Sequence, residues 1–161
     1  MPPQNAAALE ATRIMLDPVQ ASLIAAHVTL CREDEIDKFS SIYLRDRLTA
    51  SGIKIVTLRF GAPEPFSGHG ILLPCIDGEQ EFQALRQFVL GTKSVRRQAP
   101  HITLAHPRNP RAVGNTFANA FGLADGLCIT FTSIAHIRQD GAMPWQHIGE
   151  YPFSVGINSE T

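Results

Sequence analysis

The alternation of apolar and polar positions divides the chain into short strands and amphipathic helices. Positions 11–16 read as a short strand closed by the turn signal Asp17-Pro18, and 22–30 as a second strand. Ile36, Phe39 and Tyr43, then Leu44 and Leu48, recur every three or four residues and predict a helix over 33–50. Its acidic start at Glu33, Asp34 and Glu35 suits the helix dipole, and Gly52 suits its end. Positions 53–60, rich in β-branched residues, predict a strand. A Pro/Gly-rich loop over 61–70 leads to another at 70–76. Asp77-Gly78 then turns the chain into a helix over 79–90, with Phe82, Leu85 and Val89 on one face and Gly91 closing it. The basic stretch 93–97 leads to a strand at 101–105. Val113, Phe117 and Phe121, four apart, predict a third helix over 111–121. Positions 128–138 read as a long strand that forms a hairpin with 145–151 through Asp140-Gly141. Residues 1–10 read as a loose leader and 154–161 as a loose tail, leaving 11–153 as one domain.

Within this pattern one tetrapeptide is written twice, as His27-Val28-Thr29-Leu30 and as His101-Ile102-Thr103-Leu104. With six His and ten Thr in the chain, chance supplies roughly 0.4 His-x-Thr triplets. In a strand, residues two apart point the same way. His27 and Thr29 therefore share one face and Val28 and Leu30 the other; His101, Thr103, Ile102 and Leu104 divide likewise. Each tetrapeptide offers a polar face for chemistry and an apolar face for anchorage. A motif strand, a helix and a strand pair follow one another twice, which suggests duplication of an α+β unit. Packed about a pseudo-two-fold axis, such units would bring together two histidines that stand 74 residues apart.

Size and charge narrow the options. A chain of 161 residues, 44% hydrophobic and 18% charged, suits one domain with a real core. Lys plus Arg total 14 and Asp plus Glu 15, which argues against a broad electrostatic nucleic-acid surface while leaving room for a single-phosphate pocket. Cys31, Cys75 and Cys128 are isolated, with no Cys-x-x-Cys, and read as small core residues in a reducing compartment. The start, Met-Pro-Pro-Gln-Asn-Ala-Ala-Ala, lacks the charged and apolar regions of a signal peptide, and no apolar run approaches membrane-spanning length. A cytoplasmic protein with no membrane partner is expected, as a monomer.

Two histidines that titrate near neutrality can act as one neutral base and one protonated acid. Hydrolysis of a phosphodiester needs both: the base takes a proton from the attacking water, and the acid gives one to the departing oxygen. The hydroxyls of Thr29 and Thr103 can donate to the non-bridging oxygens, where charge concentrates in the transition state. This scheme requires no metal and no cofactor. A cyclic 2′,3′-phosphate, strained and with a sugar hydroxyl as leaving group, is a natural substrate.

On these two motifs the chain resembles the two-histidine phosphoesterase superfamily, and within it the 2′-5′ RNA ligase-like proteins, or RNA 2′,3′-cyclic phosphodiesterases. The resemblance covers about residues 11–153, with the closing hairpin similar to the family's last two strands. It implies an α+β fold of two pseudo-symmetric lobes, with antiparallel sheets lining a central cleft and helices outside. It also implies catalytic roles for His27 and His101, the first usually the acid and the second the base, and phosphate binding by Thr29 and Thr103. The implied substrate is an RNA end or a small cyclic nucleotide, and the implied product a 2′-phosphate. The brief segment ahead of the first motif argues against extended RNA binding.

Other residues are secondary candidates. Trp145 and Phe60 are candidates for stacking a base, with Phe66 beside Phe60 as a cleft wall. Arg59, Arg96, Arg97, Arg108 and Arg138 are phosphate-contact candidates that also suit a solvated surface. His106, at an odd offset from His101, falls on the opposite strand face; His69, His136 and His147 have no partner spacing. Three alternatives stand beside the leading expectation. The first is an enzyme acting on ADP-ribose 1″,2″-cyclic phosphate or a 2′-5′ linkage. The second is a non-catalytic RNA- or nucleotide-binding protein on the same scaffold. The third, a metallohydrolase, lacks the clustered His, Asp and Glu that a metal site needs.

Overall fold

The computed structural model describes residues 3–49, 53, 55–123 and 127–153. It is a mixed α+β fold with antiparallel sheets. Helix α1 (Pro3–Leu16) opens the chain. Its run of alanines favours helix, and Leu9, Thr12, Arg13 and Leu16 fall at the i, i+3, i+4, i+7 spacing of a buried stripe. All four are buried. The expected leader and the expected strand over 11–16 are therefore one helix from Pro3 onward. Two of its four inward positions are polar, and that broke the apolar pattern. The expected tail, 154–161, lies outside the described residues, as does Gly52.

The Asp17-Pro18 pair starts a helix rather than ending a strand. Asp17 caps α2 (Pro18–Leu23), its carboxylate accepting from the Gln20 amide at 2.9 Å, with Pro18 in the first turn. The strand expected over 22–30 is replaced by the end of α2 and an extended stretch in which Val28 makes a single bridge. The helix expected over 33–50 is two helices, α3 (Glu33–Ile36) and α4 (Ser41–Thr49), with a turn between them.

A five-stranded antiparallel sheet follows, built from β1 (Val56–Phe60), β2 (Glu64–Phe66), β3 (Gly70–Asp77), β4 (His101–Ala105) and β5 (Cys128–Phe131). The first half of β3 pairs with both β2 and β4, its end pairs with β1, and β5 adds to β1. The loop expected over 61–70 thus contains a short strand. Between β3 and β4 runs α5 (Glu79–Leu90), entered through Gly78 at φ 91° and closed by Gly91 at φ 68°, conformations that favour glycine. Phe82 and Val89 bury its inner face.

The helix expected over 111–121 shrinks to one turn, α6 (Phe117–Ala120). Val113, Phe117 and Phe121 are all exposed, so their spacing reflects no buried stripe. The long strand expected over 128–138 breaks at Thr132: β5 joins the main sheet, while β6 (Ser133–Arg138) pairs with β7 (Gln146–Pro152) in the expected hairpin.

One core unites α1, the main sheet and α5, through Leu9, Leu16, Leu58, Phe60, Leu73, Phe82, Ile102 and Leu104. Cys31 and Cys75 are half-buried, but Cys128 is exposed, against the expectation of a core residue. Among the described residues no helix is long and apolar enough to cross a membrane. Ile102 and Leu104 form the buried face of β4 and set which way His101 and Thr103 point. Leu104→Ala is expected to cost about 2–5 kcal/mol of stability, measured by urea unfolding, because it empties a filled site in that core.

Candidate active site

The first motif meets the second through one antiparallel bridge, Val28 to Ile102. Continued one residue each way, that register sets His27 beside Thr103 and Thr29 beside His101. An antiparallel pair has a local two-fold axis between its strands, and here the axis runs through the middle of both tetrapeptides. Ile102 is in the core and Val28 packs against it. The alternate positions, His27, Thr29, His101 and Thr103, therefore share the other face, and all four are half-buried.

Both imidazoles are held in the same way. His27 Nδ1 lies 2.8 Å from the Ala25 carbonyl and His101 Nδ1 lies 3.0 Å from the Ala99 carbonyl, each two residues upstream. A carbonyl can only accept, so Nδ1 carries the proton in each ring and Nε2 is the reactive nitrogen. Burial pushes the His27 pKa below its ordinary value, and the nearby charges of Arg13 and His101 add to that; the Ala25 carbonyl and Glu10 oppose it. Phe66 on β2 lies beside His101, ring centres 5.8 Å apart. Cys31, just past the first motif, keeps its proton, because burial pushes its thiol up to about 11.

Two buried arginines support the pair, and neither was among the sequence candidates. Arg13 on α1 is 1% exposed and Arg86 on α5 is 0% exposed. Arg13 donates to the Ile24 carbonyl, ahead of the first motif, at 2.9 Å, and to the Thr103 carbonyl, inside the second, at 3.3 Å. Its third partner is Glu10 at 2.7 Å, which also accepts the Ala26 amide. Arg86 mirrors this. It donates to the Arg96 carbonyl, ahead of the second motif, at 3.0 Å, and to the Leu30 carbonyl, inside the first. Its carboxylate partner is Glu35 at 2.6 Å. Burial would raise the Glu35 carboxyl, but hydrogen bonds from Arg86 and the Arg32 amide outweigh it and hold the pKa below the usual range. Gln98, itself bonded to Arg86 at 3.1 Å, donates to the Thr29 carbonyl at 2.7 Å.

A signal for these residues was present in the chain. Glu10-Ala11-Thr12-Arg13 and Gln83-Ala84-Leu85-Arg86 stand 73 residues apart, close to the 74 that separate the histidines. Gln83 donates to the Gln98 carbonyl at 2.6 Å, touching the approach to its motif as Glu10 does.

The other candidates fall differently. Phe60 is 0% exposed in the core and cannot stack a base, which corrects that expectation; its strand alternates inward and outward, and Phe60 points in. Trp145 is half-buried just before β7, its amide donating to the Leu23 carbonyl at 3.0 Å. Arg59, Arg96 and Arg97 are exposed and lie near Asp77, Asp34 and Glu79 respectively. Arg108 lies in a loop and Arg138 at the end of β6, and both are exposed. His69 is bonded to the Asn109 carbonyl at 2.9 Å, and the His106 amide donates to Asp17 at 2.8 Å. A hollow of about 380 Å³, lined by His69, Arg111, Asn115 and Phe117, holds neither motif. Among the described residues no three His, Cys, Asp or Glu side chains gather to hold a metal ion. No protein-family model matches the chain, and no curated protein matches it.

Arg86→Ala would leave Glu35 and two buried carbonyls without their donor, and is expected to cost about 3–5 kcal/mol. Arg97→Ala, on a solvated pair, is expected to leave stability nearly unchanged. Urea unfolding of both variants checks the contrast. The Glu35 contribution should be complete above the ordinary carboxylate pKa of about 4.3 and vanish as pH falls through its lower folded value.

Proposed function

We propose that the chain is a metal-independent phosphodiesterase that opens 2′,3′-cyclic phosphates of RNA ends or nucleotides to 2′-phosphates. The observation that carries this reading is the Val28–Ile102 bridge, which sets two His-x-Thr units head to tail on one face. The fold is read as two duplicated units about the axis of that bridge, with the motifs lining the cleft between them. The 73-residue repeat of the helix arginines supports that reading.

The chemistry follows from the two free Nε2 atoms. Water attacks phosphorus from one side while a neutral Nε2 takes its proton. The bond from phosphorus to the 3′-oxygen breaks, and the second imidazolium gives its Nε2 proton to that oxygen. Thr29 and Thr103 donate to the non-bridging oxygens as charge builds on them. The resemblance makes His27 the acid. The physics of the free protein favours the reverse, because burial keeps His27 neutral and ready to accept. His101 then supplies the proton.

Hydrolysis of an oligoribonucleotide ending in a 2′,3′-cyclic phosphate, run in chelator, tests the proposal. Turnover should fall about 10²–10⁴-fold in both His27→Ala and His101→Ala, with a 2′-phosphate as the intact protein's product. Thr29→Ala and Thr103→Ala should each lose about 10²–10³-fold in kcat. Activity indifferent to either histidine, or abolished by chelator, would defeat the reading.

The pH profile of kcat/KM should be bell-shaped. Its rising limb belongs to deprotonation of His27 and should lie below the ordinary histidine value of about 6.5; its falling limb belongs to the general acid losing its proton. A rate unchanged across about pH 5–9 would exclude the acid–base pair.

A further inference from the structure

The helix arginines do more than fill the core, because each guanidinium spans both motifs. Arg13 holds a carbonyl three residues ahead of His27 and the carbonyl of Thr103. The pieces it joins carry the two imidazoles on opposite sides of one bridge. The charged groups that face His27 are Arg13 and Glu10 from α1 and His101 from β4. Arg86 joins the same two pieces from the far side, without acting on His27 in this way.

We propose that Arg13 is a positioning residue for the histidine pair, its fork setting the separation of the two imidazoles and its charge facing His27. The proposal rests on the reading of the pair as a catalytic centre. The geometric half follows from the fork: two Nη groups and Nε reach three acceptors in fixed directions, which an ammonium on a flexible stem cannot reproduce. The electrostatic half follows from position: burial is the main force that lowers the His27 pKa, and the Arg13 cation adds to it. Glu10, bonded to Arg13, acts in the opposite sense.

Four variants separate these effects from simple loss of packing. The first measurement is NMR titration of the His27 ring nitrogens in the substrate-free protein. Arg13→Gln is expected to raise the His27 midpoint and Glu10→Gln to lower it, while Arg86→Gln leaves it in place. A general loosening of the core would not move one ring in two opposite directions. The second measurement is turnover of the cyclic-phosphate oligoribonucleotide. Arg13→Lys keeps the charge and loses the fork, so the His27 midpoint should stay while kcat falls about 10²-fold with KM nearly unchanged. If Arg13→Gln does not fold, Glu10→Gln carries the titration test with the opposite sign. A His27 midpoint unmoved by the charge variants, or wild-type kcat in Arg13→Lys, overturns the inference. Absence of turnover by the intact protein overturns the functional reading instead, and the titration still decides whether Arg13 governs the state of His27.

Discussion

The fold turns on two guanidiniums that cannot leave their charge unanswered. A buried arginine without acceptors is far too costly to keep, so Arg13 and Arg86 must be met by oxygens wherever the chain can bring them. The oxygens that meet them are backbone carbonyls from both motif segments, one carboxylate each and, for Arg86, the Gln98 side-chain oxygen; among the described residues only the Arg86 Nε finds no acceptor in these two groups. A single antiparallel bridge between Val28 and Ile102 is a weak join by itself. Clamped from both sides by groups that lose several kcal/mol if it opens, it becomes a fixed one. Asp17 adds a third tie: it caps α2, just ahead of the first motif, and accepts from His106 and Asn109, just past the second.

This arrangement separates the tasks within each tetrapeptide. The second and fourth residues are apolar and face the core. The backbone carbonyls of the third and fourth are used by the clamp: Thr103 by Arg13, Leu30 by Arg86, Thr29 by Gln98. The first and third side chains are left facing the open side. The carbonyl two residues upstream fixes each ring's tautomer, with the proton on Nδ1. The apolar side chains and these carbonyls are thus committed to holding the face that the histidines and threonines share.

Much of this was legible in the chain and part of it was not. The strand at 101–105, the strand at 70–76, the helix at 79–90 and the closing hairpin follow from period and turn signals; in the helix Phe82, Val89 and Leu90 carry the apolar stripe although Arg86 is buried beside them. Helix α1 was hidden for the opposite reason. Its inward face carries Thr12 and Arg13, and a pattern that counts only apolar residues sees a fragment at 11–16. Phe60 has the composition of a cleft wall, and only its place in the inward phase of β1 shows it to be core. Val113, Phe117 and Phe121 keep helical spacing with no partner surface to bury them, so period alone misled. The motif residues were legible because they are repeated. Their support was repeated too, but as Glu-Ala-Thr-Arg and Gln-Ala-Leu-Arg, where the matched residues are polar and belong to a buried face that composition does not announce.

The two histidines are alike within their motifs but not in what stands behind them. The motifs themselves cannot distinguish them, since each places a histidine, a β-branched residue, a threonine and a leucine in the same order. The difference enters one layer behind. Where the first half has Glu10, an acceptor for the Ala26 amide, the second has Gln83, a donor to the Gln98 carbonyl. Arg13 therefore finds its carboxylate on its own helix, one turn away, whereas Arg86 takes Glu35 from α3, beyond the first motif. The first imidazole faces Arg13 and Glu10 from one helix, whereas the ion pair that ties the second motif, Arg86 and Glu35, draws on two. The proton affinity of a ring depends on burial and neighbouring charge as well as on the ring itself, so two alike motifs need not hold two alike imidazoles.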